Sequence, residues 1–175
     1  MHTFKIALTI AIALVLQVLL AKQLDFFRYI ELPLLVTVYV GLQRAPVAGM
    51  VSGMITGIGA DALAGGILGV GGFAKTLIGY VAGATSVRLS IENPLARLSA
   101  VAVASVVNTV LFVGLNQMLE QSLPYVATWG ELGATIGWKV LGDSITSIPL
   151  FLLLDRVFSE QTAGRRMAIR KRFYE

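Results

Sequence analysis

Six long apolar segments, separated by short polar or glycine-rich interruptions, dominate the hydrophobic pattern of this chain. A helix needs about 20 apolar residues to cross a bilayer, so the pattern predicts an all-α, polytopic transmembrane helix bundle with about six spans. We expect this bundle to cover 1–155 and a basic tail to cover 156–175. The predicted helices run from about Ile6 to Ala21, Ile30 to Gln43, Val47 to Ala64, Ala74 to Val87, Ala96 to Leu119 and Leu132 to Leu154.

The composition indicates that lipid is the solvent of this bundle. Of the 175 residues, 56% are hydrophobic and 14% are charged, and the mean hydropathy is +0.78. These polar side chains are too few to cover a water-facing surface easily. Cysteine is absent and His2 is the only histidine, so the sequence predicts no metal site and no cofactor.

The first apolar segment resembles the hydrophobic part of a signal peptide because it follows Lys5. No small-x-small cleavage site ends it, so we interpret it as the first membrane helix. Within this helix Ala7 and Ala11 form a small-x-x-x-small pair, which allows another helix to approach closely.

The lysines and arginines between the apolar segments predict the orientation of the chain. Cations in short loops prefer the cytoplasm. With both termini cytoplasmic, only Lys22, Arg28 and Lys75 remain on the outer side. A basic cluster in the tail is expected to face anionic lipid rather than nucleic acid. Its members are Arg165, Arg166, Arg170, Lys171 and Arg172.

Small residues recur at every fourth position through the third helix and beyond it. This spacing predicts a close, right-handed crossing with another helix. The stretch 65–72 is too rich in glycine for a lipid-facing helix, so we expect a turn or a re-entrant segment there. The series consists of Gly49, Gly53, Gly57, Asp61, Gly65 and Gly69, and Gly79 and Gly83 continue the theme in the fourth helix.

The segment from Gly49 to Gly83 resembles the rod shape-determining protein MreD family. It reads GMVSGMITGIGADALAGGILGVGGFAKTLIGYVAG. The resemblance implies a bacterial cytoplasmic-membrane protein of the cell-elongation machinery, which supports lateral peptidoglycan synthesis and is not an enzyme. It also implies MreC, the actin-like MreB, RodA and a penicillin-binding transpeptidase as partners. The implied fold is similar to the S-components of energy-coupling-factor transporters.

Three ionisable side chains lie within apolar segments: Asp61, Lys139 and Asp143. A charge inside the membrane is costly, so each is a candidate site residue. Their depths predict that Lys139 pairs with Asp61 or Asp143, with Asn108 at the depth of Asp143. Such a cluster either fixes helix packing or serves in binding or proton handling.

The sequence supports two classes of intramembrane protease less well than a non-catalytic protein. An intramembrane aspartyl protease would place a Gly-x-Gly-Asp signature at its acid, but Ala60 separates Gly59 from Asp61 and turns the carboxylate about 100° away on a helix. A serine protease needs a histidine as its general base, and this chain has no histidine inside the predicted membrane helices.

The sequence therefore predicts a non-catalytic membrane scaffold whose glycine-lined faces accept partner helices. The alternative is a small-solute-binding subunit of a transporter, with Trp129 and Trp138 near the outer face lining a pocket or serving as interfacial anchors.

Overall fold

A computed structural model describes residues 2–23, 26, 29–43, 46–86, 93–119 and 129–158. These residues form six α-helices, in agreement with the predicted helical bundle. The helices are α1 His2–Gln23, α2 Leu32–Gln43, α3 Pro46–Ala64, α4 Val70–Thr85, α5 Pro94–Met118 and α6 Trp129–Val157.

Local sequence explains where several helices begin. α3 and α5 each start with a proline, whose missing N–H has no helical partner at that position anyway. Asn93 caps α5, because its side-chain oxygen accepts a hydrogen bond of 3.0 Å from Leu95 N. Gly65 and Gly69 have φ values of +70° and +103°, so the turn between α3 and α4 requires their left-handed backbone.

The start of α4 differs from the sequence prediction. The helix begins at Val70, so Gly71 and Gly72 belong to its first turn rather than to the connection. Lys75, which the sequence analysis counts among the cations of the outer side, lies in α4 inside the bundle and is 2% exposed. The hydrophobic pattern missed this boundary because the first turn of α4 is held by a side chain of α3, described below.

The short helix α2 forms the centre of the bundle. It contacts each of the other five helices, and Leu34, Leu35 and Val38 in it are fully buried. The outer helices follow one another around it in the order α1, α3, α4, α5, α6. Within the described part of the chain α1 and α6 do not contact each other, so the ring is open between them.

Glycines allow the backbones of α3 and α4 to touch. A Cβ atom at Gly49, Gly53 or Gly57 would fall on backbone atoms of α4, namely those of Gly79, Lys75 and Gly71 in turn. The predicted close crossing is therefore present, but it lies inside the chain. These glycines are buried, which corrects the expectation that this stripe accepts a partner helix.

Three of the described helices contain segments long and apolar enough to cross a membrane, namely 4–23, 46–64 and 94–118. α2 is apolar but has 12 residues, or about 18 Å at the usual helical rise. Large apolar side chains are exposed along the outer helices, as suits a surface in contact with lipid.

Candidate functional site

Glu31, the residue before α2, lies between two lysines from different helices. Its Oε1 is 2.5 Å from Lys75 Nζ of α4, and its Oε2 is 3.2 Å from Lys139 Nζ of α6. The side chains of Glu31 and Lys139 are 17% and 19% exposed, whereas that of Lys75 is 2% exposed. One carboxylate therefore joins the start of α2 to α4 and α6.

Hydrogen bonds extend this ion cluster into α5. Asn108 Nδ2 donates to Glu31 Oε2 at 2.7 Å. The backbone N–H of Glu31 donates to Asp143 Oδ1 at 2.8 Å, and Ser105 Oγ donates to Asp143 Oδ2 at 2.6 Å. We call Glu31, Lys75, Asn108, Lys139 and Asp143 the ion cluster.

Opposite charges that lie next to each other lower the free-energy cost of placing the ion cluster inside a membrane. An isolated charge there is expensive, and pairing with hydrogen bonding offsets that cost. Glu31 stands between two ammonium groups, which favour its ionised form. Moving one helix away would leave a buried charge without its partner. The cluster therefore fixes the relative positions of α2, α4 and α6.

Gln17 of α1 positions the segment that carries Glu31. Its Nε2 donates to Ile30 O at 2.8 Å, and its Oε1 accepts from Leu32 N at 2.9 Å. The oxygen of this amide therefore satisfies an N–H at the start of α2 that has no helical acceptor, and its NH2 group holds the carbonyl just before Glu31.

Asp61 serves a different purpose from the one predicted. Its carboxylate accepts hydrogen bonds from the N–H groups of Gly69, Gly71 and Gly72, at 2.9, 3.0 and 3.3 Å. A carboxylate at a helix N-terminus satisfies free N–H groups and complements the helix dipole. The predicted pairing of Lys139 with Asp61 is therefore wrong, because Asp61 caps α4.

Pairing of Lys139 with Asp143 is also wrong as a direct contact. Asp143 accepts its hydrogen bonds from Glu31 N and Ser105, and Lys139 contacts Glu31 instead. The two residues lie one turn apart on α6, but Glu31 enters between the helices and provides the nearer carboxylate for the lysine.

Replacing Asp61 by alanine is expected to lower the free energy of unfolding by about 2 kcal/mol, because charge-assisted hydrogen bonds to the first turn of α4 are lost. Asp61→Asn keeps one acceptor oxygen and should lose less. Chemical unfolding in mixed micelles measures both values. Equal stability of wild type and Asp61→Ala contradicts the capping role.

A cavity of about 350 Å³ adjoins the ion cluster. It lies at the N-terminal end of α2, and residues of all six helices line it. Its lining residues are Leu14, Gln17, Val18, Ala21, Lys22, Glu31, Pro33, Ala60, Asp61, Leu63, Ala64, Lys75, Phe112 and Lys139.

A second group of polar contacts lies at the opposite end of α2. Asp155 of α6 accepts hydrogen bonds from Tyr39 and Gln43 of α2, at 3.0 and 3.1 Å, and Arg97 of α5 lies 2.6 Å from its other oxygen. Polar groups at both ends of α2 thus hold this helix in the centre.

Sequence reasoning found three members of the ion cluster and missed two. Asn108, Lys139 and Asp143 come together as candidates, and Asp61 lines the neighbouring cavity. Glu31 was missed because it lies at the very start of the predicted second helix, where an acid is expected at the membrane surface. Its signal in the sequence is an acid directly followed by the apolar run Leu-Pro-Leu-Leu.

Other predicted residues have different positions. Ala7 and Ala11 lie exposed on α1. Trp138 is exposed, with its ring centroid 6.4 Å from that of Tyr29, and it is not among the residues that line the cavity, although one alternative predicted that it lines a pocket. The side chain of Trp129 and the whole basic tail from Arg165 to Arg172 lie outside the described residues.

Comparison with known proteins supports the resemblance drawn from the glycine-rich segment. The sequence model of the family described as rod shape-determining protein MreD matches residues 1–158. No curated protein and no solved structure matches the chain. The match extends from α1 to the end of α6 and therefore includes the ion cluster. The chain belongs to the MreD family of rod shape-determining membrane proteins.

Proposed function

We propose that this protein is a non-catalytic scaffold of the bacterial cell-elongation machinery, which supports lateral peptidoglycan synthesis through helix contacts with other membrane proteins. MreC is the proposed direct partner. RodA, the penicillin-binding transpeptidase and MreB join through the complex. Family membership supports the role in rod shape.

The observation that carries the scaffold role is the free face of α1. This helix contacts α2 and α3, and the small pair Ala7 and Ala11 remains exposed. Large side chains next to the pair, such as Leu8 and Val15, are also exposed. Small residues between larger ones let a second helix approach closely in lipid. The glycines of α3 are already used inside the chain, so α1 becomes the proposed partner face.

A single cysteine on α1 tests the proposed face, because the chain has no native cysteine. An Ala11→Cys variant labelled with a maleimide photo-crosslinker should form an adduct with MreC in native membranes. Ala84→Cys is the matched control, since Ala84 is an exposed alanine on α4, which does not contact α1. Adducts with MreC from Ala84→Cys but not from Ala11→Cys would place the partner elsewhere and contradict the proposed face.

The scaffold is proposed to lie in the cytoplasmic membrane with both termini in the cytoplasm. The positive-inside rule supports this orientation. The basic tail then lies next to the inner leaflet, where its arginines attract anionic lipid.

A second candidate function is a small-solute-binding subunit of a transporter. The cavity beside the ion cluster favours it, because ligand sites are concave, mostly apolar and supplied with a few convergent polar groups. Recovery of an ATPase module instead of MreC during purification separates this candidate from the scaffold.

A further inference from the structure

The cavity exists because α2 is too short to fill the centre of the bundle. The helix begins at Leu32, and the other five helices contribute residues around the half-open space at its N-terminal end. Its volume of about 350 Å³ falls within the range of small-ligand sites, which is about 300–1,000 Å³. α1 lines one side and Lys139 of α6 the other, and these two helices do not contact each other.

Lys75 brings hydrogen-bond donors to this cavity that the described residues do not use. An ammonium group has three N–H donors. Among the residues that the structure describes, Glu31 is the partner of Lys75, through one oxygen. The lysine is 2% exposed and lines the cavity, so its remaining donors are available to a molecule bound there.

The charges around the cavity favour an anion. Three lysines line it, Lys22, Lys75 and Lys139, against two carboxylates, Glu31 and Asp61. The carboxylate of Asp61 is held by the N–H groups at the start of α4, which further offsets its negative charge. The site therefore carries one cation more than it has anions.

Apart from Gln17, the rest of the lining is apolar. Its large apolar side chains are Leu14 and Val18 of α1, Leu63 of α3 and Phe112 of α5. A ligand that satisfies both parts of the site needs an oxyanion beside a hydrocarbon group.

We propose that the cavity binds an amphiphile with a single oxyanion, a carboxylate or a phosphate, whose charged group accepts hydrogen bonds from Lys75 and whose apolar part lies against α1 and Phe112. The headgroup region of an anionic lipid and a free fatty carboxylate share this chemistry. The site goes beyond the scaffold function and does not depend on it. If the protein is instead a transporter subunit, the site names anionic amphiphiles as the class of solute that it binds.

Thermal unfolding of the purified full chain in a neutral detergent tests the site with four probes, since a bound ligand raises the unfolding temperature. The probes are phosphatidylglycerol, phosphatidylcholine, decanoate and decanol. Phosphatidylglycerol or decanoate should raise the unfolding temperature, and the matched probes without net charge should not. A rise with phosphatidylglycerol alone assigns a lipid source, and a rise with decanoate assigns a free carboxylate. No rise with either anion overturns the proposal.

Cavity-filling variants locate the binding. Ala60→Phe and Val18→Phe place a ring in the cavity and should abolish the rise caused by the anion. Ala62→Phe and Leu19→Phe are the controls, because both residues are exposed on the same helices outside the lining. If the folded filling variants keep the full rise, the amphiphile binds elsewhere and the proposal fails.

The outcome of the thermal-unfolding test does not depend on whether the chain copurifies with MreC. A scaffold that copurifies with MreC but ignores all four probes refutes the cavity site alone. A chain that binds the anion but never recovers MreC refutes the scaffold alone.

Discussion

Glu31→Gln is expected to lower the free energy of unfolding by about 3–5 kcal/mol, the usual cost of removing one partner from a buried ion pair. The substitution leaves Lys75 and Lys139 as two ammonium groups without their shared carboxylate. It also weakens the acceptor for Asn108. Unfolding in mixed micelles measures the loss, and abundance in membranes provides a second measure.

Removal of the excess charge should restore part of that stability. The double variant Glu31→Gln, Lys75→Met is therefore expected to be more stable than Glu31→Gln alone, because a methionine fits the buried position without a charge. Glu31→Gln combined with Lys22→Met is the control, since Lys22 is exposed and has no direct contact with Glu31 in the structure. Equal rescue by both lysine substitutions contradicts the ion cluster.

Gly53→Leu is expected to be the most disruptive single change on α3, with a loss of about 3 kcal/mol or more. A Cβ atom at Gly53 falls on the carbonyl group of Lys75, and backbone atoms cannot move aside as a flexible side chain can. The helices must separate, and the ion pair of Lys75 with Glu31 is disturbed with them. Unfolding in mixed micelles and rod shape in cells both report the change.

Gly133→Leu is the matched control for Gly53→Leu. A Cβ atom at Gly133 on α6 meets nothing within 4 Å, so the same substitution has room there. If Gly53→Leu is as stable as wild type, α3 and α4 do not pack through their glycines.

The sequence predicts the helices well because apolar length alone determines a membrane helix. Four of the six predicted starts lie within three residues of the observed ones, and α1 and α4 each start four residues before the predicted position. The early start of α4 has a physical cause. The hydrogen bonds of Asp61 stabilise a first turn made of glycines, and a hydrophobic pattern carries no sign of them.

The partners of the glycines and charges were harder to predict. A spacing of four indicates a close crossing, but it does not say which helix crosses, and Gly53 meets α4 of the same chain rather than a partner protein. Depth along the helices placed Lys139 near Asp61, yet depth ignores rotation and the competing N–H groups of α4. Glu31 lies at the second position of the predicted second helix, and its position at a helix end carries no sign that it contacts Lys75 and Lys139.

The most direct test of the scaffold function is the identity of the protein that accompanies the intact chain. A tagged chain purified in mild detergent from a rod-shaped bacterium, followed by quantitative mass spectrometry, should recover MreC in amounts comparable to the bait. Absence of MreC, with an ATPase subunit recovered in its place, contradicts the scaffold and supports a transporter.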